Sequence, residues 1–192
     1  MDALLSVSAG TGTSIAPQRH RTRAGDHRLL ADGRSVLVRP LSPRDATAEQ
    51  AFVAALSPMS RYRRFHFGLH ELPPPLLRRL TEIDQRRHVA LVALGLPAFD
   101  EPAIVADARY VRCDDDDAAE FAVAVADDWQ RLGLGREMLE RLMRHAREHG
   151  VSRLCGDVLW DNRPMIAMVT ALGGTLARKP GEAGVLRARF TL

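Results

Sequence analysis

The stretch "QRLGLGRE", Gln130 to Glu137, sets two glycines at the head of a run that otherwise reads as helix. Glycine inside a helix costs about 0.5–1 kcal/mol relative to alanine, so Gly133 and Gly135 call for a reason. The first amides of a helix lack intrahelical partners and sit at the positive end of its dipole, an arrangement that binds phosphate. With no side chains at Gly133 and Gly135, a pyrophosphate can reach those amides, and Arg131 and Arg136 add charge beside them. The run is not a Walker loop, since Arg136 and Glu137 follow Gly135. Nor is it a dinucleotide fingerprint, since Met138 stands where a third glycine is needed. On these two residues alone, a pair of helix-packing glycines remains an alternative.

Just upstream, "AEFAVAVA" (119–126) alternates as a strand. Phe121, Val123 and Val125 suit a core on one face; Glu120, Ala122, Ala124 and Ala126 share the other. Small alanines let a ligand or a helix lie close to the backbone. Glu120, the one acid on that face, is the candidate general base for a reaction that must deprotonate its nucleophile. The alternative is a surface or salt-bridged glutamate. Downstream, Asn162 stands where an N-cap belongs, ahead of "RPMIAMVTALGG".

These residues need elements to hold them. "SVLVRPL" (35–41) reads as a strand stopped by Pro40, and Ser42, Pro43 and Asp45 open a helix. The segment 57–84 reads as a loop and then a second helix beginning near Pro74 or Pro75. Strands are expected at 88–95, 103–113, 119–126 and 153–160, with the acidic run Asp114–Asp117 as a polar hairpin turn. From Leu134 to Gly150, Leu134, Met138, Leu139, Leu142, Met143 and Ala146 form one half of a helical wheel, and charged residues the other. A helix capped by Asn162 and stopped at Gly173 follows, then a last strand in "GVLRARFTL", with additional strand pairing near Thr175. No internal repeat is visible. The order β-α-α-β-β-β-α-β-α-β implies an α+β fold with a mixed, mainly antiparallel sheet flanked by helices, parallel at the crossover. Residues 1–30 lack periodicity and are expected to be a flexible leader; 31–192 are expected to form one domain.

Composition narrows the function classes. A charged share of 27% and an apolar share of 46% are those of an ordinary soluble globular chain. No run approaches the ~18 apolar residues of a membrane span, nor does the N-terminus carry a signal peptide's apolar stretch, so a cytoplasmic protein is expected. A net charge of +3 with only 5% aromatics argues against nucleic-acid binding, and the basic cluster Gln18–Arg28 reads as a solvated tail. Cys113 and Cys155 read as small buried hydrophobes. The pairs His66/His70 and His145/His149 lack a third ligand, so no metal is expected. "RYRRF" with His66 is either the lining of an acceptor entrance or a solvated basic loop.

Gln130-Arg131-Leu132-Gly133-Leu134-Gly135, following a strand and opening an amphipathic helix, resembles the Q/R-x-x-G-x-G/A motif of the GNAT N-acetyltransferase superfamily. The likeness extends over roughly residues 35 to 175 in element order, and "LSPMSRYRRF" with "AEFAVAV" resembles the acetyltransferase domain of bacterial Pat-type protein lysine acetyltransferases. The resemblance implies a sheet splayed at its central parallel strand pair and acetyl-CoA as acyl donor. It places the pyrophosphate on the turn from Gln130 to Arg136 and the pantetheine along Val123, Ala124 and Val125. An amide near Val123 to Val125 would hold the oxyanion, Glu120 would act as base, and Asn162 would contact the coenzyme. Partners implied are an acyl-CoA and an amine acceptor, either a protein lysine or a small molecule, with a homodimer as an option. The sequence departs from the family in having Val169 where many members carry a tyrosine general acid; the other reading is thus a non-catalytic acyl-CoA-binding regulatory module.

Overall fold

The computed structural model describes residues 25–96, 102–114 and 117–192. Eight strands form one sheet: β1 (Asp26–Leu29), β2 (Ser35–Pro40), β3 (His88–Gly95), β4 (Ala103–Arg112), β5 (Ala118–Val125), β6 (Arg153–Leu159), β7 (Thr175–Arg178) and β8 (Val185–Thr191). They lie in the order β1-β2-β3-β4-β5-β6-β8-β7. All neighbours are antiparallel except β5 and β6. Helices α1 (Ala46–Ala55), α2 (Pro58–Phe65) and α3 (Pro74–Thr81) separate β2 from β3; α4 (Leu134–Glu148) carries the chain from β5 to β6, and α5 (Arg163–Ala171) follows β6. A parallel pair needs a crossover, and α4 supplies it. This is the mixed α+β architecture that the order of elements implied.

Two expectations change. Residues 58–65, read as loop, form α2, because Ser57 caps it by accepting from the Ser60 amide and Pro58 sits at its first position. The expected leader does not reach residue 30: Asp26–Leu29 pairs with Ser35–Val38 as the sheet's first edge strand. All four of its residues are exposed, which is why no periodicity marked it. The rest of that leader, residues 1–24, lies outside the described residues, as do Asp115 and Asp116 of the expected acidic turn.

The sheet has a core on each face. Against one face, α4 buries Leu134, Met138, Leu139, Leu142 and Ala146 together with Phe121, Leu154 and Phe190. Each large side chain there contributes about 1.5–3 kcal/mol of transfer free energy. Against the other, α1–α3 bury Phe52, Val53, Leu56, Phe65 and Leu80.

Charge is also buried on the α1–α3 side. Arg109 of β4 is wholly buried. Its guanidinium donates to both carboxylate oxygens of Asp107, to Glu49 Oε1 of α1 (3.0 Å) and to the Leu80 carbonyl of α3 (2.9 Å). One side chain thus ties two helices to the sheet. Removing a partner from such a cluster leaves uncompensated charge, so Arg109→Met should lose about 3–5 kcal/mol in urea denaturation. Burial, reinforced by the Asp107 charge, pushes Glu49 up to about 8. A carboxyl whose folded value is raised contributes stability that is full at low pH and lost as pH rises toward that value. The urea midpoint of the unaltered protein relative to that of Glu49→Gln should therefore fall between about pH 5 and pH 8.

Candidate active site

Strands β5 and β6 pair over three positions only, Ala118↔Arg153, Ala119↔Leu154 and Glu120↔Cys155. Beyond them β5 stays on β4 as far as Val125↔Ala106, while β6 stays on β8 as far as Leu159↔Val185. The sheet forks at Glu120. The Ala126 amide donates to Val105 and the Ala118 carbonyl accepts from Cys113, so even-numbered residues turn their backbone groups toward β4. By ladder alternation, odd-numbered residues turn theirs to the β6 side, which for Val123 and Val125, beyond the last β5–β6 pair, is the fork. The Val125 carbonyl accepts from Gln130 Nε2 at 3.1 Å, while the Val123 and Val125 amides face the opening.

A cleft of about 550 Å³ occupies the fork and reaches both faces of the sheet. On the α4–α5 side it is lined by Gly133, Gly135, Arg136, Asn162, Met165 and Met168; on the α1–α3 side by Arg63, Arg64, Phe65, His66, Leu76 and Leu80. Val123, Ala124, Val125, Gln130 and Arg131 line it in between, with Glu120 and Asp157 at its floor. Among the predicted residues, Leu132 and Leu134 are not in the lining, and Leu134 is 1% exposed in the core. Val169 is buried away from the cleft, and Met165 and Met168 are the neighbours that face it.

The glycine turn is held from below. Asp127 accepts from the Ser57 amide (2.8 Å), Ser57 Oγ (2.7 Å) and Ser60 Oγ (2.8 Å), docking the start of α2 under the turn. Gln130 Nε2 also reaches Ser60 Oγ at 3.2 Å. Gly133 is the N-cap of α4, with φ +83° and no side-chain cap. The amides of Leu134, Gly135 and Arg136 precede the first helical bond, from Glu137 N–H to the Gly133 carbonyl (3.0 Å). A Cβ on Gly135 would meet Val125 at 3.4 Å inside the cleft wall. Asn162 caps α5 through Oδ1, which accepts from the Met165 amide (3.3 Å), and the residue also lines the cleft.

Glu120 is 6% exposed, and Arg187 Nη1 of β8 donates to its Oε1 at 2.8 Å. The same nitrogen lies 3.2 Å from Asp157 Oδ1, and Lys179 Nζ lies 2.7 Å from Asp157 Oδ2. Burial would raise the Asp157 carboxyl, but the Lys179 hydrogen bond and the Arg187 charge hold it below the usual carboxylate range. His66, the left-handed C-cap of α2, is kept below the ordinary imidazole value mainly by burial, against the pull of Asp157. It faces the cleft as a neutral ring at neutral pH. Asp157 of β6, Arg187 of β8 and Lys179 just after β7 are not singled out by the sequence, because nothing in their spacing points at Glu120.

The sequence profile of the Acetyltransferase (GNAT) family matches residues 57–173. The chain is a GNAT acetyltransferase. An acetyltransferase of Pseudomonas aeruginosa is 36% identical over 170 residues, 88% of this chain and 91% of that protein. Acetyltransferase Pat of Mycolicibacterium smegmatis is 32% identical over 147 residues, 74% of this chain but 42% of that longer protein. The crystal structure of the GNAT domain of S. lividans PAT superposes with a TM-score of 0.78 at 31% identity, covering 88% of this chain and 97% of that one. The chemistry of the GNAT family is acetyl-CoA-dependent acetyl transfer. Any L side chain at Gly133 must adopt a conformation costing about 1–2 kcal/mol. Gly133→Ala should therefore lower both the melting temperature and acetyl-CoA affinity, the latter measured by calorimetry. Gly150→Ala, at the far end of α4 with φ +80° and open space around it, should show the stability loss alone.

Proposed function

We propose that this GNAT protein transfers the acetyl group of acetyl-CoA to an amine by direct attack, with Glu120 as the general base. The observation that carries the reading is the position of Glu120, at the last residue paired before the fork and on the floor of the cleft. Among the described residues its recorded hydrogen-bond partner is Arg187, through Oε1. Oε2 is thus left to accept a proton from an amine or from an intervening water. Asp157, the other carboxylate of the floor, is instead ion-paired with both Lys179 and Arg187.

The residues present suit the donor. The Leu134–Arg136 amides with Arg131 and Arg136 fit a pyrophosphate, and the Val123 and Val125 amides fit a pantetheine arm and a developing oxyanion. The glycine turn and α5 border one face of the sheet, and Glu120 turns to the other, so donor and acceptor reach the fork from opposite sides. The acceptor nitrogen loses a proton toward Glu120 and bonds to the thioester carbon. The carbon–sulfur bond then breaks, and the CoA thiolate, a good leaving group, takes its proton from solvent. That route needs no tyrosine at Val169.

Likeness to the Pat proteins favours a protein lysine as acceptor over a free small amine, in the cytoplasm where acyl-CoA is made. Free thiol should appear when acetyl-CoA is incubated with lysine-bearing proteins, detected with a thiol reagent. Glu120→Gln should lower kcat by about 10²-fold or more while acetyl-CoA still raises the melting temperature. A fully active Glu120→Gln would remove the base assignment, and no stabilisation by acetyl-CoA would remove the donor.

A further inference from the structure

The residue next to Glu120 comes from the far side of the fork. Arg187 belongs to β8, which pairs with β6 and not with β5. Register places Glu120, Cys155 and Arg189 in one row across β5, β6 and β8, with Asp157 and Arg187 in the row two residues nearer the opening. All five share the sheet face opposite Phe121, Leu154, Ala188 and Phe190, by strand alternation. To reach Glu120 Oε1 at 2.8 Å, the Arg187 side chain must cross β6. Cys155, the β6 residue on the path, is short enough to let it pass.

The crossing falls where backbone pairing ends. No β5–β6 pair is recorded beyond Glu120↔Cys155 among the described residues. There one guanidinium nitrogen joins Glu120 on one arm of the fork to Asp157 on the other, and Lys179 takes the second oxygen of Asp157. The Glu120 side chain is 8% exposed and that of Arg187 26%, so the contact is largely shielded from water. A buried carboxylate held through one oxygen has its second oxygen aimed.

We propose that Arg187 is a positioning residue for the acetyl transfer. It fixes the Glu120 carboxylate through Oε1 so that Oε2 points at the acceptor amine, and it sets the width of the fork by bridging Glu120 to Asp157. The inference rests on the reading of Glu120 as base. It differs from a merely structural ion pair in what it predicts. A structural pair would lose folding stability and acetyl-CoA binding together, whereas a positioning residue loses turnover.

The test compares Arg187→Met and Arg187→Lys with the unaltered protein, each checked for folding by its melting temperature with and without acetyl-CoA. Thiol release is then measured against the best amine acceptor. Misplacement of a reacting group by about 1 Å can cost up to 10²-fold. Arg187→Met should therefore lower kcat at least about tenfold with KM for acetyl-CoA within about twofold, and Arg187→Lys, which keeps one cationic donor, should recover a substantial part. Unchanged kcat in Arg187→Met overturns the proposal, as does a loss explained by weaker acetyl-CoA binding, or a lysine variant no better than the methionine one. If Glu120→Gln is slow and Arg187→Met is not, only the positioning role fails. If Glu120→Gln is fully active, the base reading fails and takes this inference with it.

Discussion

The molecule is organised by the place where two parallel strands stop pairing. Beyond Glu120↔Cys155, β5 follows β4 and β6 follows β8, and the backbone groups of Val123 and Val125 face a cleft instead of a neighbouring strand. Unpaired strand edges are a liability in most proteins because they invite another chain. Here the edge lies inside the sheet, walled by α2, α4 and α5, and the binding groups it exposes can be met by an extended ligand such as a pantetheine arm. The parallel crossover makes this possible, since α4 begins where β5 ends and so sets its free amides at one end of the same opening.

Holding such a fork open demands stiffness on both sides. On the α4–α5 side it comes from an apolar core in which Leu134, Met138, Leu139 and Leu142 are fully buried. On the other side it comes partly from charge, with Arg109 joining Asp107, Glu49 and the end of α3. Buried ion clusters of this kind add little net stability over an apolar core, but breaking one strands a buried charge. Here they fix α1 and α3, and through them the wall carrying Arg64, Leu76 and Leu80. Asp127 does the same for the glycine turn by capturing Ser57 and Ser60.

Legibility in the sequence followed locality. The glycine turn, the alternation of β5 and the apolar face of α4 depend on residues close in the chain, and their positions agree with the pattern. Segment 58–65 misled because three arginines gave it a polar cast. Yet Arg61 is buried and donates to the carbonyls of Leu69, Ala54 and Leu56, so its charge marks an internal brace and not a loop. Arg187 and Asp157 could not be found from spacing at all. Their meeting with Glu120 depends on the strand order β5-β6-β8, in which β7 is pushed to the edge, and nothing local encodes that order.

The most direct measurement is a crystal structure of the protein with acetyl-CoA. The account predicts the pyrophosphate on the amides of Leu134 to Arg136, the pantetheine against Val123 and Val125 between β5 and β6, and the thioester carbon within reach of a nucleophile bonded to Glu120 Oε2. A coenzyme bound outside the fork, or a thioester on the side of β5 away from Glu120, would contradict it.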